Sequence, residues 1–294
     1  MAGTRRGRRS ARAGRPSTSA YAVVLAAVVL VAGLVGWADA GAPAGRTSVA
    51  ASGGPSAATS PGAATGGAPA PWHVVGIGDS VTSGHGCDCD LVADYARLTA
   101  AATHRTVTSE NLGVDGQTSA GLLDALADGG PETGEVSRAD VVLVTIGAND
   151  LADGLARWQD GACSGEACFT GAVAGVRQRV GQVVDRVRAL RAGRPTLVLV
   201  TDYWNVFEDG TRAVRDHGRD YLDLARTATD AAGAAICAGA RAGGATCVDL
   251  VGPFRAADGG VDDLLQDDGD HPDGDGHALI ARTLAAAGWG PLLR

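Results

Sequence analysis

From residue 72 onward, short apolar runs alternate with segments in which apolar residues recur at helical spacing. The apolar runs predict five β-strands, at 73–78, 106–113, 139–147, 195–203 and 245–250. The intervening segments predict helices over 90–104, 118–129, 172–193, 211–242 (with a possible break) and 276–289. Strands separated by crossover helices indicate an α/β fold, with a parallel sheet covered by helices on both faces.

The first 71 residues lack this alternation. Residues 1–40 combine an arginine-rich stretch with the apolar run Tyr21–Ala38 and then an Ala-Asp-Ala sequence, a pattern typical of a cleaved signal peptide. The run is also nearly long enough to span a bilayer, so an N-terminal membrane anchor is the alternative. Because the arginines stay inside, both readings predict a protein that is secreted or anchored to the outer face of the cytoplasmic membrane.

Residues 41–71 consist almost entirely of Ala, Gly, Pro, Ser and Thr. Such a segment buries too little apolar surface to offset its ordering entropy, so it predicts a disordered linker. The folded part is then 72–294, a length that suits one α/β domain with a full core.

The charge of the predicted domain limits its partners. Seven of the 25 basic residues and one of the 33 acidic residues precede residue 72, so the domain carries 18 arginines and 32 acids, a net charge of −14. This sign disfavours nucleic acid as a partner and opposes docking on anionic lipid. We expect contact with a membrane only through an uncleaved N-terminal anchor.

The chain has six cysteines, an even number that fits an oxidising exterior. They lie in three close pairs, and the simplest connectivity joins the neighbours: Cys87–Cys89, Cys163–Cys168 and Cys237–Cys247. The first of these disulfides would close a very tight ring. A zinc site is the alternative, but no pair has C-x-x-C spacing and none has a histidine at a suitable distance in sequence, so we predict no metal.

Polar and small residues stand where several predicted strands end. Ser80 follows the first strand, Gly116 the second and Asn149 the third, while Asp268 and His271 precede the last helix. Each residue taken alone has an ordinary explanation as a turn or cap residue. Ligands of open parallel sheets bind beyond the carboxyl ends of the strands, so together these residues predict a site on one rim.

Several other sites are excluded by the sequence. A P-loop needs a lysine, and the chain has none. The dinucleotide fingerprint G-x-G-x-x-G would need glycine where Val81 stands, and the G-x-S-x-G elbow does not occur. The acidic run 267–277 does not follow the EF-hand pattern. These observations argue against a P-loop, a dinucleotide fingerprint, the nucleophile elbow of α/β-hydrolases and an EF-hand at this rim.

Taken together, the rim residues fit acyl transfer, which needs a nucleophile, a base, a group that orients the base and donors for the oxyanion. Of the six histidines, only His271 has a carboxylate three residues earlier, at Asp268, a spacing that can bring the carboxylate to Nδ1. Ser80 would then be the nucleophile. The backbone N–H groups of Ser80 and Gly116 and the amide of Asn149 would form the oxyanion hole.

The blocks that carry these residues, "GDSVTSG", "GVDG", "GAND" and "DGDH", resemble those of the SGNH/GDSL hydrolases, in the same order and through the whole of 72–294. The resemblance implies a flavodoxin-like three-layer α/β/α sandwich with a five-stranded parallel sheet. It implies a serine esterase without metal or cofactor, with Ser80, Asp268 and His271 as the triad and Gly116 and Asn149 as oxyanion donors. Valine replaces the commoner leucine in the first block, a conservative departure.

The substrate is less constrained. Two predicted rim loops contain the aromatic residues Trp158, Tyr203, Trp204 and Phe207, which would line an acyl pocket, form a platform for a sugar ring, or only pack the loops. Since no long apolar lid segment is evident, we expect hydrolysis of esters of short to medium acyl chains, with a small-molecule, lipid or glycan ester as partner. We expect the protein to be a monomer. The alternatives are a carbohydrate O-acetyl esterase, a lipase or phospholipase, and an inactive tethered domain that binds glycan or lipid.

Overall fold

The computed structural model describes residues 70–127 and 129–293. The predicted signal peptide or anchor, and almost all of the predicted linker, lie outside these residues. Within the described ranges, no helix combines the length and the apolar character that a membrane span requires.

Five parallel strands form a single sheet in the order β2-β1-β3-β4-β5. The strands are β1 Trp72–Gly78, β2 Val107–Gly113, β3 Val141–Thr145, β4 Leu197–Thr201 and β5 Thr246–Val248. In β3 and β4 every residue is buried, because a strand covered on both faces needs a continuous apolar run. The edge strand β2 alternates half-buried and exposed positions instead. The predicted α/β fold with a five-stranded parallel sheet is confirmed.

Ten α-helices connect and cover the described strands. They are α1 Ser80–Ser83, α2 Leu91–Thr103, α3 Ser119–Ala125, α4 Pro131–Arg138, α5 Ala152–Gln159, α6 Thr170–Arg191, α7 Gly210–His217, α8 Arg219–Ala242, α9 Val251–Arg255 and α10 Gly274–Ala286. Short 3₁₀ turns cover Asn149–Leu151, Gly165–Cys168, Val261–Leu264 and Gly290–Leu292. Two helix groups flank the sheet: α2 packs against α10, and α6 packs against α3 and α8.

The differences from the predicted elements have local causes. The long helical stretch over 211–242 divides at Gly218, whose φ of 90° and ψ of 174° end α7 and start α8. The sequence analysis did not predict α4, which contains a single aliphatic residue, Val136, and so shows no apolar stripe. It also did not predict α5, which lies in the loop after the third block.

The ends of β1, β2 and β3 meet closely. Gly78 has a φ of 132°, and a Cβ at this position would lie 1.9 Å from the carbonyl oxygen of Thr145, so the approach of β1 to β3 requires glycine. The next N–H, of Asp79, donates to that same oxygen at 2.9 Å. The N–H of Val114 donates to the carbonyl of Gly78 at 2.8 Å. Backbone hydrogen bonds therefore fix all three strand ends to one another.

The structure joins the six cysteines in the three expected pairs, Cys87–Cys89, Cys163–Cys168 and Cys237–Cys247. Their Cα atoms lie 5.2, 5.5 and 5.2 Å apart respectively, within the usual range for disulfides. The third pair links α8 to β5, so it fixes an edge strand to its covering helix.

Candidate active site

Ser80 is the first residue of α1, directly after β1. Asp79 caps this helix: its Oδ1 accepts from the N–H of Val81 at 3.2 Å and from the hydroxyl of Thr145 at 2.8 Å. The hydroxyl of Tyr203 donates to its Oδ2. The turn that carries Ser80 is therefore held by β3 and by the segment after β4 as well as by its own helix.

The carboxyl of Asp79 is an unusual acid. Burial raises its pKa to about 6, although the hydrogen bonds from Tyr203 and Thr145 oppose this shift. Burial, and then the charge of Asp79, raise the pKa of Tyr203 well above its usual value. The tyrosine hydroxyl therefore keeps its proton and acts as a donor to the carboxyl at neutral pH.

His271 lies between Ser80 and Asp268. Its Nε2 is 3.0 Å from Ser80 Oγ, and its Nδ1 is 2.8 Å from Asp268 Oδ2. Since a carboxylate only accepts, the imidazole proton lies on Nδ1 and Nε2 is left to accept from the serine. Burial opposes ionisation of Asp268, but the N–H groups of Asp270 and His271 and the imidazole lower its pKa below the usual value. The carboxylate is thus charged at neutral pH and orients the ring.

The loop that carries His271 is closed by its own backbone. Leu265 and Pro272 form an antiparallel bridge, and the N–H of Gln266 donates to the carbonyl of His271 at 2.8 Å. The side-chain Nε2 of Gln266 donates to the carbonyl of Pro272 at 2.9 Å and to that of His85 at 2.7 Å. One amide group thus connects the histidine loop to the loop that follows α1.

Gly116 and Asn149 face the same space as Ser80 and His271, and all four line one cavity. Gly116 has a φ of 72°, and no atom lies within 4 Å of where a Cβ would stand, so its backbone is open to the cavity. Asn149 Nδ2 donates to the carbonyl of Gln117 at 3.0 Å, which leaves the second amide hydrogen for a ligand. The structure brings together all five residues that the sequence placed in the triad and the oxyanion hole.

Asp150 anchors the Asn149 turn, a role that the sequence analysis missed. Its carboxylate accepts from the N–H of Ser119 at 2.8 Å, from the hydroxyl of Ser119 at 2.7 Å and from Arg179 Nη2 at 2.8 Å. The carboxylate side chain is only 5% exposed, so these partners compensate a buried charge. The acid in "GAND", directly after a buried strand, was the available signal.

His85 and Asp115 form a second histidine–carboxylate pair, which the sequence analysis also missed. His85 Nδ1 lies 2.5 Å from Asp115 Oδ2, and the hydroxyl of Ser83 donates to the other carboxylate oxygen. These hydrogen bonds, first from Ser83 and then from His85, lower the pKa of Asp115. The His85 ring packs 4.5 Å from that of His271. No local motif reveals this pair, because its members come from two different blocks.

The cavity has a volume of about 400 Å³ and is lined by both apolar and polar residues. The aliphatic residues of the lining include Ala148, Ala152, Leu155, Ala156 and Val206. Tyr203, Trp204 and Phe207 also line it, but they are only 3%, 2% and 8% exposed, so they are packed within the domain. Trp158 is not part of the lining; its ring packs 6.3 Å from that of Tyr221.

A family model described as "GDSL-like Lipase/Acylhydrolase family" matches residues 77–279. The chain belongs to this family. The resemblance inferred from the four blocks is thereby confirmed, and the protein is a carboxylic ester hydrolase of the lipase and esterase class. A comparison with curated protein sequences found no significant match.

Solved structures share the fold of this GDSL hydrolase at low sequence identity. A lipase from a goat rumen metagenome is 19% identical with a TM-score of 0.62, covering 74% of this chain and 98% of its own. A phospholipase A1 from Streptomyces albidoflavus is 23% identical with a TM-score of 0.55, covering 74% and 100%. A catalytic mutant of an acetylxylan esterase from Geobacillus stearothermophilus is 17% identical with a TM-score of 0.52, covering 74% and 95%.

Proposed function

We propose that this GDSL hydrolase is an exported serine esterase whose triad is Ser80, His271 and Asp268. The observation that carries the proposal is the hydrogen-bonded chain from Ser80 Oγ through both nitrogens of His271 to Asp268. Ser80 attacks the ester carbonyl while His271 takes its proton and then passes it to the leaving alcohol. His271 next activates water, which releases the acid from the acyl-enzyme.

The oxyanion that forms during each attack needs donors fixed in advance. The N–H groups of Ser80 and Gly116 and the free amide hydrogen of Asn149 border the cavity and supply them. Asp79 and Asp150 hold the turns of Ser80 and Asn149 through hydrogen bonds, so the donors need little reorganisation when charge develops.

The cavity supports an uncharged ester of short to medium acyl chain as substrate. Its aliphatic lining residues suit an acyl group of limited size, and a volume of about 400 Å³ lies at the lower end of small-molecule sites. Among the described residues, only Val114 and Leu293 are large apolar side chains with high exposure. Two isolated residues do not make the broad apolar face that adsorption to lipid needs, which disfavours bulk triglyceride.

A carbohydrate O-acetyl ester is the second candidate. The cavity lining includes hydrogen-bonding side chains from His85, Asp115, Gln159 and Asp270, which suit the hydroxyl groups of a sugar. The alternative of an inactive glycan-binding domain is less well supported, because Tyr203 and Trp204 are buried and offer no exposed aromatic platform.

The test is hydrolysis of p-nitrophenyl esters, from acetate to palmitate, and of acetylated xylo-oligosaccharides by the full chain. We expect Ser80→Ala to lower kcat by at least roughly 10⁴-fold, while Ser137→Ala, a serine of α4 remote from the cavity, leaves it unchanged. The acyl-length profile separates an esterase from a lipase, and preference for the acetylated sugar identifies an acetyl esterase. Turnover by folded Ser80→Ala at the wild-type rate would refute the triad.

Export has a separate test. Fractionation of the producing cells, with mass spectrometry of the N-terminus, shows where the enzyme resides. We expect it outside the cytoplasm, either cut near Ala40 or retained whole at the membrane. Accumulation of the uncut chain in the cytoplasm would refute export without affecting the proposed chemistry.

A further inference from the structure

The loop after α1 places two cysteines side by side. Its turns depend on Gly84 and Gly86, with φ values of 76° and 68°. A Cβ on Gly84 would lie 2.4 Å from the carbonyl oxygen of Cys89, and the N–H of Cys87 donates to the carbonyl of Gly84 at 3.1 Å. The loop therefore folds back on Gly84 and fixes the positions of both cysteines.

His277 in α10 reaches this loop from a distant part of the chain. It is fully buried, and neither of its ring nitrogens has a hydrogen-bond partner among the described residues. An imidazole buried without partners is costly, and such a group points to an interaction that the protein atoms alone do not provide.

The two cysteines and the ring of His277 lie close together. A ring nitrogen of His277 and the Sγ atoms of Cys87 and Cys89 all lie within 4.8 Å of one another. In the described part of the chain, no other group of three or more histidine, cysteine or acidic side chains is gathered in this way. Two thiolates and a neutral imidazole are ligands that zinc prefers, at about 2.3 Å for sulfur and about 2.0 Å for nitrogen. The sequence-based prediction of no zinc considered only histidines near the cysteines in sequence.

We propose that the reduced form of this enzyme binds one zinc ion through Cys87, Cys89 and His277. A thiol reductant gives two electrons and two protons to the Cys87–Cys89 disulfide and is itself oxidised to a disulfide. A phosphine gives the two electrons and takes an oxygen from water to become a phosphine oxide, and the two protons of that water go to the cysteine sulfurs. The two cysteines become thiols, and each loses its proton as its sulfur binds the metal. Water completes the tetrahedral coordination. The disulfide and the zinc site are thus alternative states of one cluster.

The two states differ in what they connect. The disulfide closes a ring within the loop after α1, whereas zinc would join that loop to α10, which begins directly after the loop of His271. We therefore expect zinc to raise the thermal stability of the reduced chain, because the metal binds only the folded arrangement of ligands from distant segments.

The direct test uses cobalt as a spectroscopic substitute for zinc. The full chain is reduced with a phosphine, freed of reductant under nitrogen and titrated with Co²⁺. We expect a thiolate-to-cobalt charge-transfer band that saturates at one equivalent and disappears when Zn²⁺ is added. The band should be lost in the Cys87→Ser/Cys89→Ser chain and kept in the matched Cys163→Ser/Cys168→Ser chain. A band that follows the other pair, or no band in the reduced wild type, overturns the proposal.

A separate test addresses His277 as a ligand. His277→Gln should weaken Co²⁺ binding at least about 10-fold, and equal affinity would remove the histidine from the site. Because this buried substitution could disturb folding, a second measurement uses the wild type alone. Zn²⁺ added to the reduced chain should slow alkylation of Cys87 and Cys89 by iodoacetamide, mapped by mass spectrometry, and leave Cys163 and Cys168 unprotected. Equal alkylation of all four residues with and without Zn²⁺ also overturns the proposal.

Discussion

The two sides of the active site are built in different ways. On the strand side, Ser80, Gly116 and Asn149 follow directly or closely after β1, β2 and β3. On the loop side, Asp268 and His271 lie in a loop closed by the bridge between Leu265 and Pro272 and follow no strand of the sheet. The sheet fixes the positions of the residues on the strand side, whereas the residues on the loop side are positioned by the packing of their loop against the rest of the domain.

A similar difference separates Asp79 from Asp268, two of the acids near the reacting groups. Burial raises the pKa of Asp79 on the strand side to about 6. On the loop side, the N–H groups of Asp270 and His271 and the imidazole outweigh burial and lower the pKa of Asp268. One carboxyl is a buried structural anchor, and the other is a charged partner of the base.

The largest effect should come from the loop side. Asp268→Asn should lower kcat by roughly 10⁴-fold, because an amide that donates to Nδ1 favours the imidazole tautomer with its proton on Nε2, which cannot accept from Ser80. Steady-state kinetics on p-nitrophenyl acetate would measure it, with Asp267→Asn, an exposed neighbouring carboxylate, as the matched control. A loss of less than about 10-fold would mean that Asp268 does not orient the base.

On the strand side, Asn149→Ala should lower kcat by roughly 10²- to 10³-fold, because it removes one donor to the oxyanion. KM should change little, since the donor acts mainly in the transition state. Kinetics on the same ester separates the two constants. An unchanged kcat with a raised KM would instead assign Asn149 to ground-state binding of the substrate.

The two acids allow the comparison to be tested by pH. As pH rises from about 4 to about 6, unfolded Asp79 loses its proton while the folded group keeps it, so this residue makes the free energy of unfolding fall. In Asp79→Asn, the fall in the free energy of unfolding between about pH 4 and about pH 6 should be smaller by on the order of 2 kcal/mol. Urea unfolding at a series of pH values would measure it. Parallel curves for the two proteins would mean that Asp79 has an ordinary pKa in the folded state.

The smallest loss of kcat should come from removing the hydrogen bonds that hold the histidine loop in place. Gln266→Leu removes the hydrogen bonds to the carbonyls of His85 and Pro272, and we expect roughly a 10-fold loss of kcat with KM unchanged. Gln178→Leu, at an exposed position of α6, is the matched control. If both variants keep the wild-type kcat, the backbone of the loop is sufficient to place His271.

The comparison also explains which parts of the site could be predicted. The strand side was predictable because a buried apolar run marks where a strand ends, and parallel strands end on one rim. His271 was identified by the spacing to Asp268 within a single short loop. The core of the fold followed from the same runs, whereas the polar helix α4 showed no apolar stripe to detect.

The remaining contacts join residues that no local pattern connects. Tyr203 meets Asp79 across 124 positions of sequence, and Gln266 meets His85 across 181. His277 reaches the Cys87–Cys89 loop in the same way. Such pairs depend on how the loops pack once the sheet exists, so they were visible only in the structure.

The hydrogen bond between Ser80 and His271 joins residues that are 191 positions apart in sequence. Closing so long a loop carries an entropic cost that is recovered only when the intervening sheet and helices are in place. Ester turnover would therefore report completed folding of the whole domain. A refolding chain should regain its helical circular dichroism before its esterase activity. A partly folded species should show no esterase activity.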